Sequence, residues 1–220
     1  MHPVVSTTSL IALVGMTSFA LGNQAASPST TPLIPRDTLF GNPERAGLQI
    51  SPDGTTISYL APHEDVLNVW IRPTAGGEAS VVTSSTDRPI MGYAWAVNGE
   101  QILYSLDKNG DENTHVYAVD LQTKETTDLT PFDGVKAGIA GQHKDRPDDI
   151  LIQMNQRDPR NMDMYKVNTR TGESEMIFVN DGDYVGMIPD DDWTVRGRAK
   201  MTEEGGTLFE LRNSAEGEWY

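Results

Sequence analysis

Four histidines, at positions 2, 63, 115 and 143, limit the general-base chemistry open to this chain. His2 lies in a leader-like N-terminal stretch, His115 sits beside a strand aromatic, and His63 and His143 fall in expected loops. The nucleophile elbow Gly-x-Ser-x-Gly does not occur. No serine can be matched to a histidine by spacing, so no Ser-His-Asp triad is expected and no catalytic residue is assigned. His63-Glu64 opens like a zinc-protease motif, but Leu67 stands where the second histidine must be. Asp107, Asn109 and Asp111 alternate as in a calcium loop. Glu112 replaces the glycine needed at the sixth position and Ala118 the glutamate needed at the twelfth. An Asn-Gly hairpin is the better reading of Asp107–Asn113. The absence of cysteine excludes disulfides, thiolate catalysis and Cys-ligated zinc. No metal and no cofactor is expected.

One charged cluster remains. In "NQRDPRNMD", Asn155 to Asp163, the residues Arg157, Asp158 and Arg160 surround Pro159. A solvated turn with a local Arg-Asp pair would produce this pattern. So would a contact to a second domain or to a substrate carboxylate, which the guanidinium fork suits. Asp190–Asp192 reads as a solvated turn.

The elements that position these residues follow a repeat. "SPDGTTISYL" joins a Pro-Asp-Gly turn to a run rich in β-branched and aromatic residues. "NVWIRP" and "EASVVTSS" complete a first unit. "YAWAVNGEQILYSL", "HVYAVD" and "TTDLT" form a second, with Asn98-Gly99 where Asp53-Gly54 stood. "RPDDILIQM", "DMYKVN" and "SEMIFVN" form a third. "IPDDDWTVRGRA" and "LFELR" open a fourth. Trp70, Tyr117, Tyr165 and Phe209 set the phase, 47, 48 and 44 positions apart. Four strands in a period of about 40–50 residues is a WD40-like, propeller-blade period. The expected fold is therefore all-β: a partial β-propeller of about four blades of four antiparallel strands. The blades fall near 46–84, 92–130, 145–180 and 184–220, within a propeller region 41–220. The recurring aromatics are expected to fill the spaces between sheets. A β-sandwich would share the short strands but not the phased repeat.

The N-terminus differs from the rest. Ser9–Leu21 is mostly apolar, too short to span a bilayer, and suits the core of a secretory signal. Ala20 and Gly22, or Ala25 and Ala26, offer small residues for cleavage, although no Lys or Arg precedes the apolar run. Residues 1–25 are read as a signal peptide and 26–40 as a linker, giving a secreted or periplasmic location. No other segment suits a membrane. A formal net charge of -15 repels phosphate backbones and argues against nucleic-acid binding. It keeps the surface solvated and would attract cationic peptides.

The strings "IPRDTLFGNPERAGLQISPDG", "NGEQILYSLDKNGDENTHVYAVDL", "DLTPFDGVKAGIAG" and "NQRDPRNMDMYKVN" resemble the N-terminal β-propeller of the prolyl oligopeptidase family of serine peptidases. The acylaminoacyl-peptidase and dipeptidyl-aminopeptidase branch is the nearest. The resemblance runs from about Pro32 onward and loosens after Asp181. It implies a propeller that packs against a C-terminal α/β-hydrolase domain carrying the catalytic serine, and that screens peptide substrates. No catalytic residue of the family maps onto a position here, so the chain is expected to be inactive alone. A non-catalytic binding or scaffold propeller, including a periplasmic Tol-type one, is the alternative. Uncovered faces on the first and last sheets are expected to make the isolated chain unstable or self-associating.

Overall fold

The computed structural model describes residues 33–41 and 43–220. The signal-like residues 1–25 and residues 26–32 of the expected linker lie outside the described residues. The chain divides into residues 1–39 and residues 40–220. A one-turn helix, α1 (Arg36–Phe40), begins in the first part, with Asp37 in its first turn.

Among the described residues, residues 40–220 hold fifteen strands. β1 (Ala46–Ile50), β2 (Thr56–His63), β3 (Val66–Pro73) and β4 (Ser80–Val81) form the first sheet. β5 (Tyr93–Trp95), β6 (Gln101–Leu106), β7 (His115–Asp120) and β8 (Thr126–Asp128) form the second. β9 (Ala137–His143), β10 (Arg146–Asp158), β11 (Asn161–Asn168) and β12 (Ser174–Phe178) form the third. β13 (Gly186–Pro189), β14 (Val195–Met201) and β15 (Thr207–Leu211) form the fourth. There Leu211 and Tyr220 exchange both backbone hydrogen bonds, each 3.0 Å, and begin a fourth row. Each sheet is an antiparallel meander in sequence order. This is the all-β, blade-like architecture of a partial propeller.

The turn chemistry explains where the second strands start. Gly54 donates to Ser51 O at 2.9 Å, and Asp53 accepts from Thr55 N at 3.0 Å. Gly54 has φ 75°, which glycine adopts without strain. The second sheet repeats the device: Gly99 donates to Ala96 O at 2.9 Å and Glu100 N to Asn98 Oδ1 at 2.9 Å. In the fourth sheet Trp193 takes the glycine's place, with φ 64° and its N–H on Asp190 O at 2.9 Å. An L-residue there costs about 1–2 kcal/mol. Burial of the indole beneath the Arg146 guanidinium, 4.8 Å from the ring centroid, offsets it. Asp190–Asp192 form this turn, as the sequence suggested.

Three apolar cores lie between successive sheets. Leu60, Val69 and Val82 meet Trp95, Ile102, Tyr104 and Val119 between sheets one and two. Leu103, Val116, Ala118 and Leu129 meet Ile150, Ile152, Met154 and Tyr165 between sheets two and three. Leu151 and Met164 meet Met187, Trp193 and Val195 between sheets three and four. Each fully buried Val, Leu or Ile contributes about 1.5–3 kcal/mol.

The phased aromatics do not all fill such cores. Tyr117 and Tyr165 do. Trp70 pairs with Tyr59 on the face of sheet one turned away from sheet two. Phe209 is 60% exposed, which overturns the expectation for that residue. Register gives the reason. Tyr117 lies opposite Tyr104, five positions after the turn glycine Gly99. The fifth position after Trp193 is Arg198, which lies opposite Glu210. Glu210 therefore holds the phased position, and Phe209 projects to the other face with Ile188, Leu211 and Met201. These four side chains are 47–60% exposed.

Two expected outcomes follow from these faces. The 220-residue chain is expected to self-associate through exposed sheet faces. Phe209→Asp should weaken the association by about tenfold or more while leaving the circular dichroism unchanged, as read by sedimentation. A monodisperse wild-type monomer would refute this. Burial, then the nearby Asp128 carboxylate, pushes the Tyr117 phenol up to about 12. A phenol raised in the folded state stabilises fully below its ordinary value near 10 and loses that contribution as pH climbs toward 12. Tyr117→Phe should remove a late phenolate absorbance step and reduce the alkaline loss of stability.

Candidate functional site

An antiparallel meander sends its second-to-third-strand hairpin and its exit toward the next sheet to the same end. That end carries the charged cluster singled out above. β10 and β11 run long, and Asp158 pairs with Asn161 across a two-residue tip made of Pro159 and Arg160. Arg157 is committed to the fold: its Nε and Nη2 donate to Asp163 at 2.8 and 2.9 Å, and Nη2 also donates to Asn180 O at 3.0 Å. Asp158 and Arg160 form their own pair at 3.1 and 2.8 Å, with Arg160 N donating to Asp158 at 3.0 Å. These Arg160 donors hold the Asp158 carboxyl far below the usual carboxylate range. The Arg160 side chain is 83% exposed. Of the three, Arg160 is the one whose charge is presented to solvent.

Asp163 was not singled out from the sequence, yet it is fully buried. It accepts from Asn180 N at 2.7 Å as well as from Arg157. Asn180 in turn receives Tyr184 N and donates to Tyr184 O at 2.7 Å. The two earlier sheets carry a buried polar residue at the same place, two positions before the aromatic. Asn68 accepts Ser85 N at 2.8 Å and Thr83 Oγ1 at 2.9 Å. His115 Nδ1 lies 2.8 Å from Asp128, which also receives Thr130 N. Asn68 and Asp163 pin a third strand to the segment that leaves for the next sheet, and His115 does so through Asp128 at the end of β8. The spacing of Asn68, His115 and Asp163 was the available signal.

Beside this hairpin end, Ser84–Arg88 and Leu106–Asn109 border a cleft of ≈ 370 Å³ floored by Tyr104 and Tyr117. The two phenol rings stack at 5.2 Å. Arg88 donates to Asp107 at 3.1 and 3.2 Å. Burial works against the Asp107 charge, but Arg88 and the Glu112 N–H hold its carboxyl below the ordinary range. Asp107 is thus an ion-pair partner. The tip beyond it is an Asn-Gly turn, with Asp111 N on Lys108 O at 3.1 Å.

His63 and His143 have structural surroundings, and His2 lies outside the described residues. His63 meets the edge of Trp70 at 5.9 Å, and His143 accepts Asp145 N at 3.2 Å. The opposite end is stitched by charge: Arg170 bridges Asp148 and Glu100, each at 2.7 Å, and Asn98 donates to Asp148 at 3.0 Å. Among the described residues, no three His, Asp or Glu side chains are grouped to hold a metal ion.

No protein-family profile matches the chain. The dipeptidyl aminopeptidase BIII of Pseudoxanthomonas mexicana is 42% identical over 227 residues, covering 99% of this chain and 32% of the relative. Dipeptidyl peptidase family member 6 of Caenorhabditis elegans is 28% identical over 193 residues, 84% of this chain and 26% of the relative. The chain spans about a third or less of these relatives' length. Among solved structures, the acylaminoacyl peptidase of Pyrococcus horikoshii superposes with a TM-score of 0.52 at 16% identity, over 77% of this chain and 31% of that one. Oligopeptidase B of Leishmania major gives 0.53 at 16%, over 78% and 25%. TolB of Acinetobacter baumannii gives 0.52 at 14%, over 80% and 42%. The structural likenesses speak to fold, and the 42% identity speaks to kinship. Over 99% of its length the chain is a relative of part of a dipeptidyl aminopeptidase, and it has the propeller fold shared by the acylaminoacyl peptidase, oligopeptidase B and TolB structures.

Proposed function

We propose that this chain supplies part of the propeller of an exported serine peptidase that hydrolyses short peptides. The observation that carries the reading is the 42% identity to a dipeptidyl aminopeptidase across 99% of the chain. In this reading the sheets pack against an α/β-hydrolase domain and restrict which peptides reach its serine. Hydrolysis through an acyl-enzyme belongs to that domain, and the chain described here is not catalytic by itself. Export to the periplasm or medium rests on the apolar run Ser9–Leu21.

Arg157, Asp158 and Arg160 have distinct parts in this reading. Arg157 holds the β10–β11 hairpin in place through Asp163. Arg160 trades its Asp158 partner for a carboxylate of the hydrolase domain or of a peptide, a bidentate exchange that suits a guanidinium. A stand-alone binding propeller is the second reading, favoured by the superposition on TolB. The 14% identity there, against 42% to the aminopeptidase, ranks it second.

The test begins with the reading frame past the codon for Tyr220. It is expected to continue through further blade-like units to Gly-x-Ser-x-Gly, then Asp and His. The encoded protein should cleave dipeptidyl amides and be stopped by a serine-reactive phosphonate, whereas the 220-residue chain alone should do neither. In the longer protein, Arg160→Ala should raise KM by about three- to tenfold with an unchanged melting temperature. Arg157→Ala should lower the melting temperature by stranding Asp163. A stop codon directly after Tyr220, or turnover by the 220-residue chain, would overturn the proposal.

A further inference from the structure

The chain carries two Asn-Gly pairs, Asn98-Gly99 and Asn109-Gly110, in opposite physical states. Asn98 is tied on every side. Its Nδ2 donates to Gln101 Oε1 at 3.1 Å and to Asp148 at 3.0 Å, and its Oδ1 accepts Glu100 N at 2.9 Å. The Gly99 N–H is engaged by Ala96 O at 2.9 Å. Asn109 and Gly110 are exposed at the tip of the Asp107–Asn113 loop, with φ 55° and 79°. The turn is closed by Asp111 N, and neither the Asn109 amide nor the Gly110 N–H has a hydrogen-bond partner among the described residues.

From this contrast we infer that Asn109 is a site of spontaneous deamidation and that Asn98 is a protected one. The Gly110 nitrogen loses its proton and attacks Asn109 Cγ. A nitrogen–carbon bond forms, and the side-chain nitrogen leaves as ammonia, producing a five-membered succinimide. Water then opens the ring at either carbonyl, giving aspartate or isoaspartate. The net change is one amide plus one water to one carboxyl plus one ammonia, with no oxidant or reductant. Glycine leaves the attacking nitrogen unobstructed. At Asn98 the same attack requires several hydrogen bonds to open first, which slows it by roughly a hundredfold. The product matters locally. Asn109 lines the same cleft as Arg88 and Asp107, so deamidation adds a negative charge to the rim that holds the Arg88–Asp107 pair.

The experiment incubates the native 220-residue chain in mildly alkaline buffer and follows peptides by mass spectrometry, with an isoaspartyl methyltransferase as the probe for isoaspartate. Asn109 is expected to gain one mass unit and methyl-accepting capacity while Asn98 stays intact. In concentrated urea the two sites should convert at similar rates. Asp148→Ala should speed Asn98 by about tenfold and leave Asn109 unchanged. Native Asn98 converting as fast as Asn109, or Asn109 remaining an amide in the native chain after it has converted in urea, would overturn the inference.

Discussion

A sheet with apolar side chains on both faces has to be covered twice, and the architecture follows from that requirement. A single meander of short strands cannot meet it. Radial stacking does, because each sheet offers one face to its predecessor and one to its successor. Leu103 and Ile102, neighbours on β6, show the division: Leu103 enters the core with sheet three and Ile102 the core with sheet one. The alternation along a strand is thus a division between two partners rather than between core and water. The outer faces of sheets one and four have half of this arrangement, and they are where Trp70 and Phe209 end up.

Stacked sheets would still slide or splay if apolar contact alone held them, since such contact has little direction. Asn68, His115 and Asp163 add the direction. Each is buried; Asn68 and Asp163 bond the segment that carries the chain onward, and His115 reaches it through Asp128 at the end of β8, which receives Thr130 N. A buried polar group without its partner is penalised more heavily than the bond itself stabilises. These residues therefore select one angle of departure from each sheet. The hairpin carrying Arg160 inherits its position from that selection, through Arg157 on Asp163.

Much of the fold was legible because the physics repeats. Asp53-Gly54 and Asn98-Gly99 mark the same turn for the same backbone reason, and the β-branched runs after them are the second strands. Legibility failed where one residue did another's work. Trp193 occupies a glycine position, so the fourth turn hid its phase. Phe209, the nearest aromatic, then drew attention one place away from Glu210. β9 escaped notice because Ala137, Gly138, Ala140 and Gly141 give no β-branched signal. Ala137, Gly138 and Gly141 pair along β10 all the same, with Ala140 at a shift in the register; the large side chains of β10 supply the packing. Of the charged cluster, the residue types were plain, but the commitment of Arg157 to Asp163 depends on a partner buried within a strand that reads as ordinary.

The joint between sheets three and four is built differently from the other two. Where Tyr104 and Tyr117 stack in sheet two, sheet four places Arg198 between Tyr184 and Trp219, 4.0 and 4.1 Å from the ring centroids, and bonds it to Glu210 at 2.9 Å. Arg212 adds a further layer on Trp219 at 4.6 Å. Apolar burial weakens on cooling because hydration of hydrocarbon carries a large heat capacity. A guanidinium between rings draws on electrostatics, which cooling does not erode in that way. The array therefore responds unevenly to temperature along its length. In the cold all three apolar cores weaken, but the last joint, which adds guanidinium–ring contacts to its core, loses the smaller share of its cohesion, and added salt screens only that extra part.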